Sequence, residues 1–277
     1  MKTQEMKMQQ LRIRVMMMSE AEKKHLEMAL KSNVRYDGRS LEDLRPITIE
    51  KGVIATAEGS ARVKMGDTEV LAGVKMEVGT PYPDTPNEGS LMVGAEFLPM
   101  ASPDFETGAP GIDAIELARV VDRGIREGGA IDTEKLCIEP GKSAWTVIVD
   151  ICTLNNDGNL QDVSALAALA ALQDAKFPKL DNVNDSLQID YKTKTDESVP
   201  INAIPVTVTV FKRGDLLFVD PSEAEEKLYD SRLSISVLDD GKLCALQKGG
   251  EDTLTVDEIN SMVDLAIRKS EEMRKAL

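Results

Sequence analysis

The chain is poor in the residues that most enzymes and nucleic-acid binders rely on. It has one histidine, His25, and three cysteines, Cys137, Cys152 and Cys244, with no Cys-x-x-Cys pair. That excludes a zinc site of the Cys/His type and a disulfide framework, and leaves histidine-based catalysis only one residue to rest on. Aromatic residues make up 4% of the chain, so platforms for stacking bases are scarce and the core must be built from Val, Ile, Leu, Ala and Met. No apolar run reaches the length of a membrane span. Met16–Met18 is too short an apolar stretch for a signal peptide and no cleavage site follows, so the expected location is the cytoplasm. Basic charge is also short: 33 Lys and Arg stand against 48 Asp and Glu, a formal net charge of −15. A surface of that sign repels polyanions in general, and any contact with nucleic acid must be local or shared with a partner.

What is present is a two-part pattern over 277 residues. Residues 1–34 hold 7 of the 13 methionines. The first 15 or so read as a disordered leader or as the result of an upstream start codon. Ser19 and Glu22 then form a capping box that opens a helix over 20–32, with Leu26 and Leu30 on one face. From Pro46 the period becomes two. Ile47, Ile49, Val53 and Ile54 flank Lys51-Gly52, and residues 61–65 and 68–74 are joined across Gly66-Asp67, as antiparallel strands with tight turns. A Pro/Gly-rich loop over 80–90 and a strand over 91–99 follow. Residues 112–127 read as a helix closed by Gly128-Gly129. Residues 143–154 are a strand rich in β-branched residues. Residues 160–176 form an Ala/Leu helix that is apolar almost all round, hence buried. Residues 178–200 are polar and loop-like. Strands over 204–212 and 216–219, a hairpin across Asp239-Asp240-Gly241, and a helix capped by Thr255 and Glu258 complete the chain. Sheet then helix, twice, implies an α+β protein of two related sheet-plus-helix layers. The expected organisation is a leader and helix over 1–34, a first domain over 35–178, a linker over 179–200 and a second domain over 201–277.

The motifs VRYDGR (34–39), RPITIEKGVI (45–54) and AEGSARVKMGDTEVLAGVK (57–75), continued by ELARVVDRGIRE (116–127) and VDPSEAEEKLYDSRLSISV (219–237), resemble the RNase PH family of phosphorolytic exoribonucleases. The resemblance implies an RNase PH-like fold (ribosomal protein S5 domain 2-like) carrying an extra N-terminal helix. Within the family it points to the non-catalytic type of subunit in the archaeal exosome, a phosphorolytic 3′→5′ RNA-degrading ring.

Two departures from the family pattern carry that reading. Active members hold the attacking phosphate with a Gly-Ser/Thr-Arg loop at a helix N-terminus, where backbone N–H groups, a hydroxyl and a guanidinium converge on the anion. The matching segment here is Asp157-Gly158-Asn159-Leu160-Gln161-Asp162, which keeps the glycine, lacks the hydroxyl and the arginine, and is expected to set the Asp162 charge where the anion would sit. Active members also carry two aspartates six residues apart, which match Glu226 and Arg232. An arginine can neither hold a metal nor act as a base. Glu225 and Asp230 remain as a nearby alternative carboxylate pair, and the acidic run also reads as a solvated turn or helix start.

The positive feature lies on the 112–127 helix. Arg119, Arg123 and Arg126, at i, i+4 and i+7, share one face. Intrahelical pairs Glu116–Arg119, Arg123–Glu127 and Asp122–Arg126 would neutralise them. The resemblance instead implies that Arg119 and Arg123 contact RNA beside a partner's active site, and Arg126, on the same face, is taken as an RNA contact with them. It implies no catalytic residue and no metal ligand in this chain. Mg²⁺ and inorganic phosphate are expected at the active site of a catalytic RNase PH-like partner, in a ring of three copies of each. Cap proteins with S1, KH or zinc-ribbon modules, and single-stranded RNA, are the other expected partners; no membrane is. The alternatives are an autonomous phosphate-dependent exoribonuclease and a scaffold that never touches RNA. His25, the cysteines and Trp145 read as surface or packing residues, with Cys137 and Cys152 expected to be buried.

Overall fold

The computed structural model describes residues 18–183 and 186–277, so the expected leader over the first residues lies outside the described part. Helix α1 (Glu20–Lys31) starts where the capping box places it. Ser19 Oγ accepts from the Glu22 N–H and the Glu22 carboxylate accepts from the Ser19 N–H. Leu26 and Leu30 are buried with Leu228, beside Leu41 and Leu216, which ties α1 to the second half of the chain. Each such leucine contributes about 1.5–3 kcal/mol of apolar burial.

The first sheet contains β1 (Ile47–Lys51), β2 (Gly59–Met65), β3 (Thr68–Gly79), β4 (Ser90–Phe97), β5 (Cys137–Glu139) and β6 (Ser143–Asn155). Its order is β1-β2-β3-β6-β4, with β5 paired to β6. All pairings are antiparallel except β4–β6. A parallel neighbour needs a crossover, and α2 (Ile112–Glu127) lies within it. Alternation sends Ala61, Val63, Val70, Ala72, Val74, Val147, Val149 and Ile151 into the core. The chain turns at Gly52, whose φ is +71°, where the Lys51-Gly52 reading places a turn, and Val53 and Ile54 beyond it belong to no strand.

Helix α3 (Leu160–Asp174) is buried from Leu160 to Leu172. It lies on β2 and β3, beside α2 and against β9. Approach to β2 is so close that a Cβ on Gly59 would stand 2.4 Å from the Ala171 carbonyl oxygen. The second sheet has the order β10-β9-β11-β12, from β9 (Val206–Arg213), β10 (Leu216–Val219), β11 (Ser231–Val237) and β12 (Leu243–Gly250). The short α4 (Glu223–Glu226) lies between β10 and β11, and α5 (Val256–Arg274) packs on β9 and β11. Strand β9 is buried from Val206 to Phe211 because α2 and α3 cover one face and α5 the other. The result is two stacked sheet-plus-helix layers, as the patterning implied.

Residues 178–183 and 186–198, expected as loop, are strands. Strands β7 (Lys176–Val183) and β8 (Ser186–Ser198) pair as a two-stranded ribbon, and α3 stops at Asp174 rather than running on to Lys176. The ribbon is anchored where the Lys75 ammonium lies 4.6 Å from the Tyr191 ring centroid. Trp145 is buried against Phe177, as expected. All three cysteines are half-buried and free, so the expectation of full burial for Cys137 and Cys152 is corrected. Among the described residues no helix is long and apolar enough to cross a membrane.

Candidate functional site

The two layers are stapled by the arginines of the N-terminal motifs. Arg35, 1% exposed, forms a bidentate pair with Glu225 and also donates to the carbonyls of Val219 and Asp220. Arg39 and Arg45 both clasp Asp220, which is fully buried. Arg45 donates further to the Asp157 carboxylate and to the carbonyls of Asp157, Gly158 and Pro221. Asn159 adds a bond to Asp220, 3.1 Å from Nδ2 to Oδ1, with both residues in the left-handed region at φ +58° and +46°. Paired charges of this kind can be buried without leaving a hydrogen-bond donor or acceptor stranded. Gly158 is required by the same junction: a Cβ there would lie 2.4 Å from the Pro221 carbonyl oxygen. The glycine that survives from the phosphate loop therefore has a packing reason to be there.

Beside this junction the helix N-terminus of α3 opens on a cavity of about 240 Å³, lined among others by Phe97, Phe105, Gln161 and Tyr229. Glu226 and Arg232, the two positions matched to the family's aspartates, both line it, as does Gln161 from the segment matched to the family's phosphate loop. Fold topology thus brings together the positions that the sequence matched one by one. Their chemistry is different. Five carboxylates (Asp104, Asp113, Glu116, Glu223, Glu226) face two cations, Lys227 and Arg232. Lys227 is held by Asp104 and Glu223, and Arg232 by Glu116 at 2.7 Å. Burial pushes the Glu226 carboxyl above its ordinary range, opposed by the Asn159 N–H that it accepts. An anion entering here would meet net negative charge.

Asp162 does not contribute to that field as expected. Its side chain is fully buried and turned to the second sheet, where it accepts from the Thr209 N–H at 3.1 Å and the Thr209 hydroxyl at 2.7 Å. Burial pushes its pKa up to about 7, against the pull of those hydrogen bonds. Gln161 joins the same polar seam through Ser234 and Thr209. The alternative carboxylate pair is also spent: Glu225 is held by Arg35 and Asp230 by Arg213 and the Gly214 N–H. With Glu225 buried at 3% exposure the acidic run is not a solvated turn; it is the helix start of the same reading, opening α4 with a capping box between Ser222 and Glu225.

The α2 arginines lie on the neighbouring surface, and all three are exposed. Of the three intrahelical pairs the sequence allows, the structure forms only Asp122–Arg126, at 2.7 Å. Arg126 also donates to the Leu91 carbonyl. Arg119 and Arg123 share a shallow cavity of about 180 Å³ with Ile112, Ile115, Glu116, Val120 and Gln247. Arg123 donates weakly to Gln247 Oε1 at 3.3 Å, and neither arginine has a carboxylate partner among the described residues. Sequence reasoning missed Gln247 and the Glu116–Arg232 bridge, because β12 and β11 approach α2 only through the tertiary fold.

The chain matches the 3′ exoribonuclease family, domain 1 over residues 43–178 and domain 2 over residues 203–269. It is 45% identical over 249 residues to the exosome complex component Rrp42 of Methanopyrus kandleri, covering 90% of this chain and 92% of the relative. The protein of the same name from Pyrococcus horikoshii is 45% identical over 251 residues, with 91% of each chain covered. Among solved structures, a chain of the Archaeoglobus fulgidus exosome with RNA bound to the active site superposes with a TM-score of 0.83 at 43% identity, covering 91% of this chain and 96% of that one. A chain of an archaeal exosome core gives a TM-score of 0.79 at 41% identity, with coverages of 91% and 94%.

Proposed function

The chain belongs to the 3′ exoribonuclease (RNase PH) family, and from that premise we propose that it is a non-catalytic subunit of an exosome ring that helps hold single-stranded RNA for a catalytic RNase PH-like partner. The observation that carries the reading is the contrast between the acidic cavity at the α3 N-terminus and the two unpaired guanidiniums of Arg119 and Arg123. The first is unsuited to an attacking phosphate: the 157–162 loop at its helix N-terminus lacks the hydroxyl and the arginine, and Arg232 stands where a metal-binding or proton-accepting carboxylate is needed. The second offers donors for RNA phosphates on a molecule that otherwise repels them. Curated relatives at 45% identity over nine-tenths of the chain bear the name of an exosome component, which supports assembly with other subunits.

On this reading the ring alternates three copies of this chain with three of the partner, in the cytoplasm. Mg²⁺ and inorganic phosphate act at the partner's site, where phosphate cleaves the 3′-terminal linkage and a nucleoside diphosphate leaves. Cap proteins with S1, KH or zinc-ribbon modules present the RNA. This chain's task is electrostatic: Arg119 and Arg123 hold the strand near the partner's site, and Arg126, neutralised by Asp122, contributes less. The test is the double substitution Arg119→Glu/Arg123→Glu in the assembled ring. RNA affinity should fall by about tenfold or more at low salt, without ring dissociation. An unchanged affinity in an intact ring would sink the RNA role and leave a scaffold.

A further inference from the structure

We propose that Arg232 is a positioning residue for RNA binding: by holding Glu116, it keeps Arg119 free of its own helix neighbour. The inference rests on the assignment of Arg119 to RNA. Glu116 and Arg119 are three residues apart on α2, the spacing at which a carboxylate and a guanidinium meet. In the structure they do not pair. The Glu116 carboxylate accepts instead from Arg232 Nη2 at 2.7 Å, across from β11 of the second domain.

That cross-domain bridge is a built feature. Arg232 is opposite Gly249 in the β11–β12 register. A Cβ on Gly249 would stand 2.6 Å from Arg232 Nε, so the glycine leaves the room this arginine side chain occupies as it passes β12 toward α2. On its other side the guanidinium carbon is 5.6 Å from the Tyr229 ring centroid, and Nη1 donates to the Tyr229 hydroxyl at 3.4 Å. The side chain is 13% exposed, whereas that of Glu116 is 36% exposed and free to turn. Glu116 lines both the acidic cavity and the cavity shared by Arg119 and Arg123. The bridge is therefore the partition between them. The arginine at the position matched to a family aspartate thus holds away the carboxylate that would neutralise the RNA-binding face.

The test measures single-stranded RNA affinity of the mixed ring without inorganic phosphate, so that no phosphorolysis occurs. Arg232→Gln should release Glu116 to Arg119 and weaken binding about three- to fivefold at low salt, less at high salt. Arg232→Lys should keep the bridge and bind like the parent. Glu116→Gln should restore binding to the Arg232→Gln ring. The decisive arm is the Arg119→Ala background, where Arg232→Gln should have no further effect. An equal loss with and without Arg119 would overturn the proposal in favour of a general charge effect, as would an unchanged affinity in Arg232→Gln. Should Arg232→Gln fail to assemble, Glu116→Gln alone decides: binding equal to or tighter than the parent supports the proposal, weaker binding overturns it. Failure of the underlying RNA assignment is distinguishable, since Arg119→Ala by itself would then change nothing.

Discussion

Two groups of arginines in this chain teach opposite lessons. Arg35, Arg39 and Arg45 lie in the N-terminal motifs, largely buried, with their donors spent on Glu225, Asp220, Asp157 and nearby carbonyls. Arg119 and Arg123 lie on α2, exposed and without a carboxylate partner among the described residues. The first group is the most recognisable part of the sequence and holds the fold together. The second lies about one turn apart on an ordinary-looking helix and carries the proposed function. A guanidinium that is fully satisfied within the molecule has nothing left for a ligand, whereas an unsatisfied one on an acidic protein calls for an anion.

The comparison breaks most visibly at Arg45. Arg45→Ala would leave the buried Asp220 and the 157–159 turn short of their main partner, and should cost about 3–5 kcal/mol in urea unfolding. A loss below 1 kcal/mol would mean the staple is decorative. Asp162 extends the contrast to carboxylates. Its folded pKa is raised to about 7, against an unfolded value of 3.8. Between those values the native state holds a proton that the unfolded chain has released, so this group's contribution is fully present below about pH 4 and is lost as pH rises through 7. Asp162→Asn should flatten that decline, by an amount on the order of 2–4 kcal/mol between pH 4 and 8. Parallel stability–pH curves for the two proteins would contradict the burial argument.

On the other side of the comparison, Arg119→Ala/Arg123→Ala should move stability by no more than about 0.5 kcal/mol. The same change should make the log–log salt dependence of RNA binding by the ring shallower by about 1.4, the loss of two phosphate contacts on a single strand. Arg126→Ala is the smallest effect: with Asp122 and the Leu91 carbonyl already engaged, RNA affinity should change by about twofold or less. A loss matching that of Arg119→Ala would erase the distinction between paired and unpaired arginines on α2.

Where local chemistry decides the structure, the sequence was sufficient. The Ser19/Glu22 and Thr255/Glu258 boxes mark helix starts that the structure shows with both reciprocal hydrogen bonds. The β-branched alternation of β2, β3 and β6 marks a half-buried sheet. The β7–β8 ribbon is hard to read because most of its residues are polar and exposed: the alternation of Leu187 and Ile189 with Gln188 and Asp190 is short, and strand pairing there is settled by the partner strand. The site was legible as a set of positions and misread in their direction. Asp162 was placed toward an anion, yet it sits on a helix buried on all sides, where any ionisable group must find a partner within the protein. That signal was available. The Glu116–Arg232 bridge was not, because it depends on the β11–β12 register that sets Gly249 opposite Arg232.

The most direct test of the account is phosphate-dependent release of nucleoside diphosphates from a 3′-tailed single-stranded RNA, with Mg²⁺ present. The purified chain alone should release none, and its co-assembly with a catalytic RNase PH-like subunit should release more than that subunit alone. Release by this chain alone would contradict the reading of the cavity at Gln161, Glu226 and Arg232 as unable to bind and activate phosphate.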